Sequence, residues 1–367
     1  MRKLLSKQHQ RQIEIIEYLK QQNDNIPISK IACAIGCSTR IIHEDFQKFK
    51  DLEKVFLISS NNAGVKLEFK KDASMEAIYY YFISESLAFR LLKVLFFQNF
   101  TNREDLCSKL FISHSALGML IEQINLVLKE NYHITIDKQQ LNFTGSEKQI
   151  RLFFLRLFYD SSPKETWDFG DYCVRKTIFN YINQFYLYLT GYEDQIESFQ
   201  LTTLSLINWI RYQQGYSISP TEFDSHRHII DFLISMDNKS IQQDFSEIFH
   251  LDFSEESLLQ VFFPFISDKL VYSNISNVIN NNFVFTNSYI FLQKEIPHLA
   301  DKLSIHLYNQ QLLISKIHNG TFLFPFNVTH NSNLLESKKF RFITKQESYL
   351  PLDTKSIISF RKLFILH

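Results

Sequence analysis

Glycine and proline are scarce in this chain, with 8 Gly and 7 Pro among 367 residues. Because few positions force a turn, the composition indicates helices joined by short polar loops. Long apolar runs are missing too, since no stretch reaches the ~18 consecutive apolar residues that a membrane-spanning helix needs. Charges interrupt the N-terminal segment throughout, which is not typical of a signal peptide. We therefore expect a cytoplasmic protein without a membrane partner.

Cysteine and the familiar catalytic motifs are equally sparse. The four cysteines, Cys33, Cys37, Cys107 and Cys173, occur singly within helical patterns and without a histidine at metal-ligand spacing. They are expected to be buried free thiols in a reducing compartment. The sequence contains no glycine-rich phosphate loop, no metal-spaced His-Glu pair and no nucleophile elbow. These absences disfavour an enzyme, and we expect neither a cofactor nor a metal.

Charge is balanced over the whole chain but unevenly distributed. Lys and Arg together number 39, as do Asp and Glu. Residues 1–71 contain 13 Lys and Arg against 8 Asp and Glu, a net charge of +5, so the rest of the chain carries −5. A positive end on an otherwise acidic chain indicates where a polyanion would bind.

One pattern of apolar and polar positions occurs twice. The segment "ISKIACAIGCSTRIIHEDFQKFKDL" at 28–52 matches "REDLCSKLFISHSALGMLIEQINLV" at 103–127 without a gap. The offset is 75 positions, and the paired residues are Ile31 with Leu106, Ile35 with Leu110, Ser38 with Ser113, Ile42 with Leu117, Phe46 with Ile121 and Phe49 with Ile124. Such repetition predicts two copies of one supersecondary unit.

The first copy predicts a winged helix-turn-helix. Apolar positions at helical spacing fill residues 8–22, and a short helix follows over residues 29–35. Gly36 supplies the turn, and Ser38 is a suitable N-cap for a third helix with a polar face. Two β-prone runs then flank turn residues within 55–69, which predicts a hairpin. These are the elements of a helix-turn-helix with a wing, in the required order.

The third helix is the candidate for contact with DNA bases. Its start would enter a major groove, where Arg40 is the best residue for bidentate contact with guanine. The DNA-binding candidates lie on this helix, just after it and on the wing: Ser38, Thr39, Arg40, His43, Gln47, Lys48, Lys50 and Lys66. Sequence-independent phosphate contacts are expected from Lys3, Lys7 and Arg11 as well. The alternative is a winged helix used only for protein contacts, with these charges solvated.

The second copy keeps the apolar pattern but changes the outward chemistry. The predicted elements are a helix over 76–97, a short helix over 102–110, a long helix over 113–130 and a hairpin within 132–145. The outward positions of its long helix hold Ser115, Gly118, Met119 and Glu122. Basic and acidic residues nearly balance in this unit, so its attraction for DNA is small. It is expected either to position its neighbours by packing or to make a second DNA contact.

Two tandem winged helices that close with "LNFTGSEKQIRLFF" at 141–154 resemble the Mga/RofA/AtxA group of bacterial virulence regulators. The resemblance lies in a hairpin that ends in glycine and is followed by Glu and Ile-Arg, here Gly145, Glu147, Ile150 and Arg151. It implies a mainly α protein, with two tandem winged helix-turn-helix domains followed by two all-helical regulatory bundles. Members usually continue into a domain similar to a phosphotransferase B component, so a short or truncated member is expected.

Helix-spaced apolar positions continue through the rest of the chain. They occur at 147–159, 172–189, 196–214, 222–236 and 239–249, and a further set starts near Ser254. We predict four domains, with the limits 1–71, 72–147, 148–253 and 254–367. The resemblance implies that the last two are domains regulated by the sugar phosphotransferase system.

In regulators related to this family, histidines of the helical domains accept phosphoryl groups, which implies phosphotransferase phosphocarrier proteins as partners. A phosphoryl group adds up to two negative charges and would shift a dimer interface. The candidates are His226 and His228 in "DSHRHIID", with His298 and His306 farther along. For each of them a structural or surface role is the alternative. The stretch "LINWIRYQQGYSI" departs from the family, because Tyr216 follows Gly215 where a histidine is expected.

The sequence thus predicts a Mga-type transcriptional regulator that contacts promoter DNA, a double-stranded partner, through its N-terminal winged helices. A homodimer is expected, because two copies of one helix on neighbouring half-sites raise the affinity through effective concentration. The alternative is a signal-responsive regulator that binds RNA or protein, as related antiterminators do. Antiterminators begin with a small RNA-binding β-domain, whereas this chain begins with a helix-turn-helix pattern.

Overall fold

The computed structural model describes most of the chain. The described residues are 1–71, 73–161, 169, 172–190, 195–223, 227–235, 238–272, 287–323 and 335. They form two compact units, one that holds Met1–Ile83 with Leu335 and one that lies within Ser84–Asn331. Helices predominate, and the strands of the described residues form two hairpins, which confirms the mainly α prediction. No single described helix is long and apolar enough to cross a membrane.

The first unit is a winged helix-turn-helix followed by one more helix. Its elements are a 3-10 helix Arg2–Leu4, α1 Lys7–Lys20, α2 Ile28–Ile35, α3 Thr39–Lys48, a 3-10 helix Phe49–Leu52, β1 Phe56–Asn61, β2 Gly64–Phe69 and α4 Met75–Glu85. The predicted order of elements is therefore present. The core consists of apolar side chains at the helical spacing, including Ile13, Ile16, Leu19, Ile31, Ile42 and Phe49.

The turn between α2 and α3 depends on Gly36 and Ser38. Gly36 ends α2 with a φ of +76°, in the left-handed region that favours glycine. The Oγ of Ser38 accepts a hydrogen bond from the backbone N–H of Ile41, with an N–O distance of 3.4 Å. This bond satisfies one of the free N–H groups in the first helical turn. The predicted N-cap is confirmed, and α3 begins at Thr39.

The wing is attached to the helices by a short strand pairing. β1 and β2 form an antiparallel hairpin. Ile26, which precedes α2, exchanges two backbone hydrogen bonds of 2.9 Å with Val65 of β2. Gly64 is required at this crossing, because a Cβ there would lie 2.4 Å from the carbonyl carbon and oxygen of Ile26. The wing therefore has a fixed position on the helix-turn-helix.

The second unit contains another winged helix-turn-helix and the helical remainder. Its elements are α5 Leu87–Phe97, α6 Arg103–Leu110, α7 His114–Tyr132, β3 Thr135–Ile136, β4 Phe143–Thr144, α8 Glu147–Ser161, α9 Tyr172–Thr190, α10 Gln195–Gln213, a 3-10 helix Pro220–Glu222, α11 Arg227–Ser235, α12 Lys239–Phe249, α13 Glu255–Phe262, α14 Asn287–Leu303 and α15 Gln310–Leu323. The prediction of one helix over 76–97 is wrong. Ser86 has an extended backbone and separates α4 from α5, in keeping with the preference of serine for helix ends.

The second winged helix-turn-helix shares its core with α8. The ring centroid of Phe96 on α5 lies 4.5 Å from that of Phe154 and 4.8 Å from that of Phe158, both on α8. Phe143 of β4 meets Phe154 edge to face at 4.9 Å. Aromatic pairs of this kind bury large apolar surfaces. The winged unit and α8 therefore form one hydrophobic core.

Glu147, the first residue of α8, is a largely buried carboxylate shared by two arginines. Arg211 of α10 donates from Nε and Nη2 to its two oxygens, at 2.9 and 2.6 Å, and Arg151 donates from Nε at 3.0 Å. Arg151 also donates to the backbone carbonyls of Tyr216 and Gln260, at 2.9 and 2.8 Å. Both guanidinium groups are buried, and burial lowers the pKa of Arg151. We call these three charged residues the Glu147 cluster.

Helices α9 to α13 form one bundle. Each of them contributes to a single buried core, which includes Ile178, Leu206, Ile230, Phe245 and Phe262. The same core continues to Tyr272, so it contains elements from both sides of the predicted limit at residues 253 and 254. α14 and α15 pack in a smaller cluster that contains Tyr289, Leu292 and Ile314.

The cysteines do not share one environment. Cys107 is a buried free thiol, as predicted. The prediction is wrong for Cys33, which is exposed on α2, and Cys37 is half-buried. α2 buries Ile31 and Ala32, and Cys33 lies on the other side of this short helix. The side chain of Cys173 lies outside the described part of the chain.

Candidate nucleic-acid interface

α3 has one buried face and one exposed polar face. Ile42 and Asp45 are buried on the inner side. The candidate residues exposed on the outer side are Ser38, Thr39, Arg40, His43, Gln47 and Lys48. Helical spacing places Arg40, His43 and Gln47 one after another along the same side. We call this exposed side of α3, including Glu44, the α3 outer face.

Arg40 and Glu44 form an ion pair on the α3 outer face. The Nε of Arg40 donates a hydrogen bond to Oε1 of Glu44 over 3.0 Å. The two side chains are 87% and 55% exposed, so the pair is open to solvent. Glu44 was not among the predicted site residues. The spacing of four residues between opposite charges on a helix was the signal for this pair.

The remaining cationic candidates lie around α3 and on the wing. Lys48, at the end of α3, donates from Nζ to Oε1 of Gln8 on α1 at 2.9 Å. Lys50 is exposed in the 3-10 helix that follows α3. Lys66 on β2 is half-buried, and its Nζ lies 3.2 Å from Oε1 of Glu68 on the same strand. All three lysines thus belong to the first winged helix-turn-helix.

Arg11 has a different environment from Lys3 and Lys7, which are exposed. Its guanidinium donates to both oxygens of Asp45, over 2.6 Å from Nε and 3.1 Å from Nη2. Gln12, also on α1, donates to the same carboxylate over 3.3 Å. The hydrogen bond with Asp45 raises the pKa of Arg11. This guanidinium therefore holds α3 against α1, and its expected contact with a phosphate stays a prediction.

The matching face of α7 in the second winged unit is apolar and acidic. Met119 and Leu126 are 65% and 74% exposed, although both are large apolar side chains. Glu122 accepts a hydrogen bond of 2.5 Å from Nζ of Lys138, and this bond lowers the pKa of Glu122. An open cleft of about 620 Å³ beside Leu126 is lined by two acidic and two basic side chains, Glu122, Glu130, Lys129 and Lys138, among others. α7 therefore lacks the cationic character of the α3 outer face.

The candidate histidines differ in their surroundings. The Nδ1 of His228 lies 3.1 Å from Oδ2 of Asp268, and the other oxygen of Asp268 accepts from the backbone N–H of Ile229 over 2.9 Å. His228 is exposed. His298 and His306 are exposed as well, whereas His226 lies outside the described residues.

One buried histidine was not singled out from the sequence. His318 of α15 donates from Nε2 to the carbonyl of Lys269 over 2.9 Å, and its ring packs against Tyr289. Burial lowers the pKa of His318. Among the described residues, no group of three or more His, Cys, Asp or Glu side chains is arranged to hold a metal ion.

A winged helix-turn-helix with an exposed polar helix, a second winged unit and helical bundles define a helix-turn-helix protein of several domains. The Mga helix-turn-helix domain matches residues 71–158. The M protein trans-acting positive regulator (MGA) PRD domain matches residues 174–357, which is half of the chain. The chain therefore belongs to the Mga family of transcriptional regulators.

Curated relatives are similar to the chain at low identity. A protein of Streptococcus pneumoniae serotype 4 named "Putative trans-acting regulator" is 24% identical over 329 residues, which are 88% of this chain and 66% of that protein. "Capsule synthesis positive regulator AcpA" of Bacillus anthracis is 23% identical over 49% of this chain and 37% of its own length. "Anthrax toxin expression trans-acting positive regulator" of Bacillus anthracis is 24% identical over 49% of this chain and 38% of its own length. The chain thus matches about two thirds or less of the length of these relatives.

Proposed function

We propose that this chain binds promoter DNA through the α3 outer face and the β1–β2 wing and thereby regulates transcription. One observation carries the proposal: α3 buries Ile42 and Asp45 and exposes Arg40, His43 and Gln47. A helix held in this way can enter a major groove, where base edges offer partners to Arg and Gln side chains. The names of two relatives, which describe positive regulators, support the same class of function.

The charge distribution supports DNA rather than a neutral partner. The net charge of residues 1–71 is +5. The lysines expected to contact phosphates include Lys3, Lys7, Lys48 and Lys50, which are exposed, and Lys66, which is half-buried. Each contact with a phosphate releases counterions, so the affinity should fall steeply as the salt concentration rises.

Fluorescence anisotropy with AT-rich duplexes tests this proposal. The double variant Arg40→Ala with Lys48→Ala should bind at least about tenfold more weakly, because it loses a base contact and a phosphate contact. A matched control, Lys239→Ala with Lys302→Ala, removes two exposed lysines from α12 and α14. It should retain the wild-type affinity. Equal binding by the wild type and the Arg40 and Lys48 variant would contradict the assignment of α3.

The same assay separates DNA from RNA as the partner. Unlabelled duplex DNA should displace the labelled duplex, and single-stranded RNA at the same nucleotide concentration should not. Stronger displacement by RNA would favour the alternative of an RNA-binding regulator.

We propose that the protein acts as a homodimer in the cytoplasm. Apolar side chains exposed on α14 and α15, namely Ile290, Phe291 and Leu313, support a second copy as the partner. Sedimentation equilibrium should give twice the chain mass for the wild type. Ile290→Asp with Phe291→Asp should give the monomer with unchanged helicity, and a wild-type monomer would contradict the proposal.

We propose in addition that His228 accepts a phosphoryl group from a phosphotransferase phosphocarrier protein. A proton on Nδ1, shared with Asp268, leaves the lone pair of Nε2 free for attack on phosphorus. The P–N bond of the carrier breaks as the bond to Nε2 forms, and the carrier histidine is released. Mass spectrometry after incubation with a phosphorylated carrier should place the group on His228. His298→Ala should still be phosphorylated, whereas His228→Ala should not.

A further inference from the structure

We propose that Glu44 determines which base is recognised, because it holds Arg40 by Nε and presents the terminal nitrogens of the guanidinium to a guanine. This inference rests on the DNA binding proposed above. It gives a role in base discrimination to an acidic residue on a surface that would face the phosphates of DNA. The cationic candidates do not explain why an acidic residue lies there.

The hydrogen bond occupies one defined edge of the guanidinium. The Nε of Arg40 donates to Oε1 of Glu44 over 3.0 Å. A guanidinium is planar and carries five N–H groups, so a bond at Nε fixes the plane and leaves the four N–H groups of the terminal nitrogens. Bidentate contact with O6 and N7 of guanine uses two such groups. Glu44 therefore orients Arg40 before DNA binds, which reduces the entropy lost when the contact forms.

Helix stability does not account for this ion pair. Exposed ion pairs contribute little to folding, and both side chains here are mostly exposed. The more favourable order on a helix places the acid before the base, whereas Arg40 precedes Glu44. A carboxylate on a surface that meets phosphates also lowers the total affinity by repulsion. Neither helix stability nor total affinity for DNA explains the glutamate at position 44. A role in selecting the base that Arg40 contacts does explain it.

Neutralisation of the Arg40 charge by Glu44 should also increase the preference for a guanine-containing site over other DNA. An arginine that is paired with a carboxylate attracts a phosphate less than a free arginine does. Binding to unrelated sequences depends on phosphates and is weakened. Contact with a guanine depends on hydrogen-bond geometry and is retained. The affinity difference between a preferred site and other DNA should therefore be larger with Glu44 than without it.

The wing supplies a matched control. Lys66 and Glu68 form an ion pair of 3.2 Å with side chains 39% and 56% exposed. Glu68→Ala removes the same charge as Glu44→Ala from the same unit, and the two glutamates are similarly exposed, at 56% and 55%. It does not change any group on α3.

The test uses the full chain and a pool of duplexes with randomised positions, from which the bound fraction is sequenced. The wild type should enrich guanine at one position, and Arg40→Ala should lose that preference. Glu44→Ala should bind the unselected pool more tightly and reduce the guanine preference at the same position about tenfold. Glu44→Gln should give an intermediate preference. Glu68→Ala should bind the pool more tightly and keep the wild-type preference.

The outcomes separate this inference from the proposed function. A wild type that binds the pool and enriches guanine, together with a Glu44→Ala variant that keeps the full preference, overturns the role of Glu44 alone. A wild type that does not bind the pool at low salt overturns DNA binding and this inference together. Circular dichroism and thermal unfolding of every variant verify that the helix content and stability are those of the wild type, so that a lost preference is read as altered recognition.

Discussion

The guanidinium of Arg11 on α1 and the carboxylate of Asp45 on α3 are joined over 2.6 Å. The side chain of Asp45 is 1% exposed, while that of Arg11 is 27% exposed. Rotation of α3 about its axis would separate these charges and leave a carboxylate buried without a counter-charge. The pair therefore fixes which residues of α3 face outward, including Arg40 and His43.

We expect Arg11→Ala to lower the free energy of unfolding of the first unit by about 3–5 kcal/mol, because it leaves the carboxylate of Asp45 buried without a counter-charge, with the amide of Gln12 still donating to it. Asp45→Ala should be less destabilising, since Arg11 can reach water. The double variant should lose less than the sum of the two single changes. Urea unfolding followed by circular dichroism measures all three. Strictly additive losses would mean that the two side chains do not interact.

Gly64→Ala should destabilise the first unit more than Gly36→Ala does. Both glycines have positive φ, at +129° and +76°, so both substitutions strain the backbone. Only at Gly64 would the new Cβ also meet the carbonyl of Ile26, at 2.4 Å, whereas Gly36 has no atom within 4 Å of such a Cβ. We expect about 1 kcal/mol for Gly36→Ala and a clearly larger loss for Gly64→Ala. Thermal unfolding of the two variants compares them, and equal losses would contradict the close approach.

Glu147→Ala should lower the free energy of unfolding of the second unit by about 3–5 kcal/mol, because two buried guanidinium groups lose their shared carboxylate. Glu147→Gln is the conservative control. Its amide oxygen can still accept hydrogen bonds but carries no charge, so the loss should be smaller. Chemical denaturation measures both variants. A wild-type midpoint for Glu147→Ala would show that Arg151 and Arg211 are satisfied without it.

The second unit should lose stability in mild acid because of His318. Burial holds the pKa of His318 below its ordinary value of 6.5, so the unfolded chain binds a proton more readily than the folded chain. The stability is complete above pH 6.5 and decreases as the pH falls toward the folded-state pKa. His318→Gln should flatten this dependence, since glutamine does not titrate there. Melting temperatures of both proteins at pH 7.5 and 5.5 provide the comparison, and parallel shifts would exclude His318 as the cause.

Much of the fold could be predicted because the apolar positions that repeat in the sequence are the positions that are buried in the structure. Ile31 and Leu106, like Ile42 and Leu117, are paired by the offset of 75 positions and are all fully buried. Periodic apolar spacing is a local property that one sequence displays directly. The exposure of Arg40 and His43 follows from the same spacing, since they lie on the other side of α3. Their contact with DNA stays a prediction.

Ion pairs between distant parts of the chain could not be predicted from the sequence in this way. The spacing of apolar residues did not indicate that Asp45 is buried. Its partner Arg11 lies 34 positions earlier in the chain. Glu147 and Arg211 are separated by 64 positions. Local periodicity contains no information on which charged side chains meet across a fold. For the same reason the packing of α13 with helices that precede the predicted limit at 253 could not be predicted.

The Glu147 cluster also limits where the chain can be cut into separately expressed fragments. A fragment that stops after residue 147 keeps the carboxylate of Glu147 without Arg151 and Arg211. The complementary fragment contains both guanidinium groups without the carboxylate that neutralises them. Expression of either piece should give an aggregating product. A division at Ser86, between α4 and α5, keeps the three charges in one polypeptide.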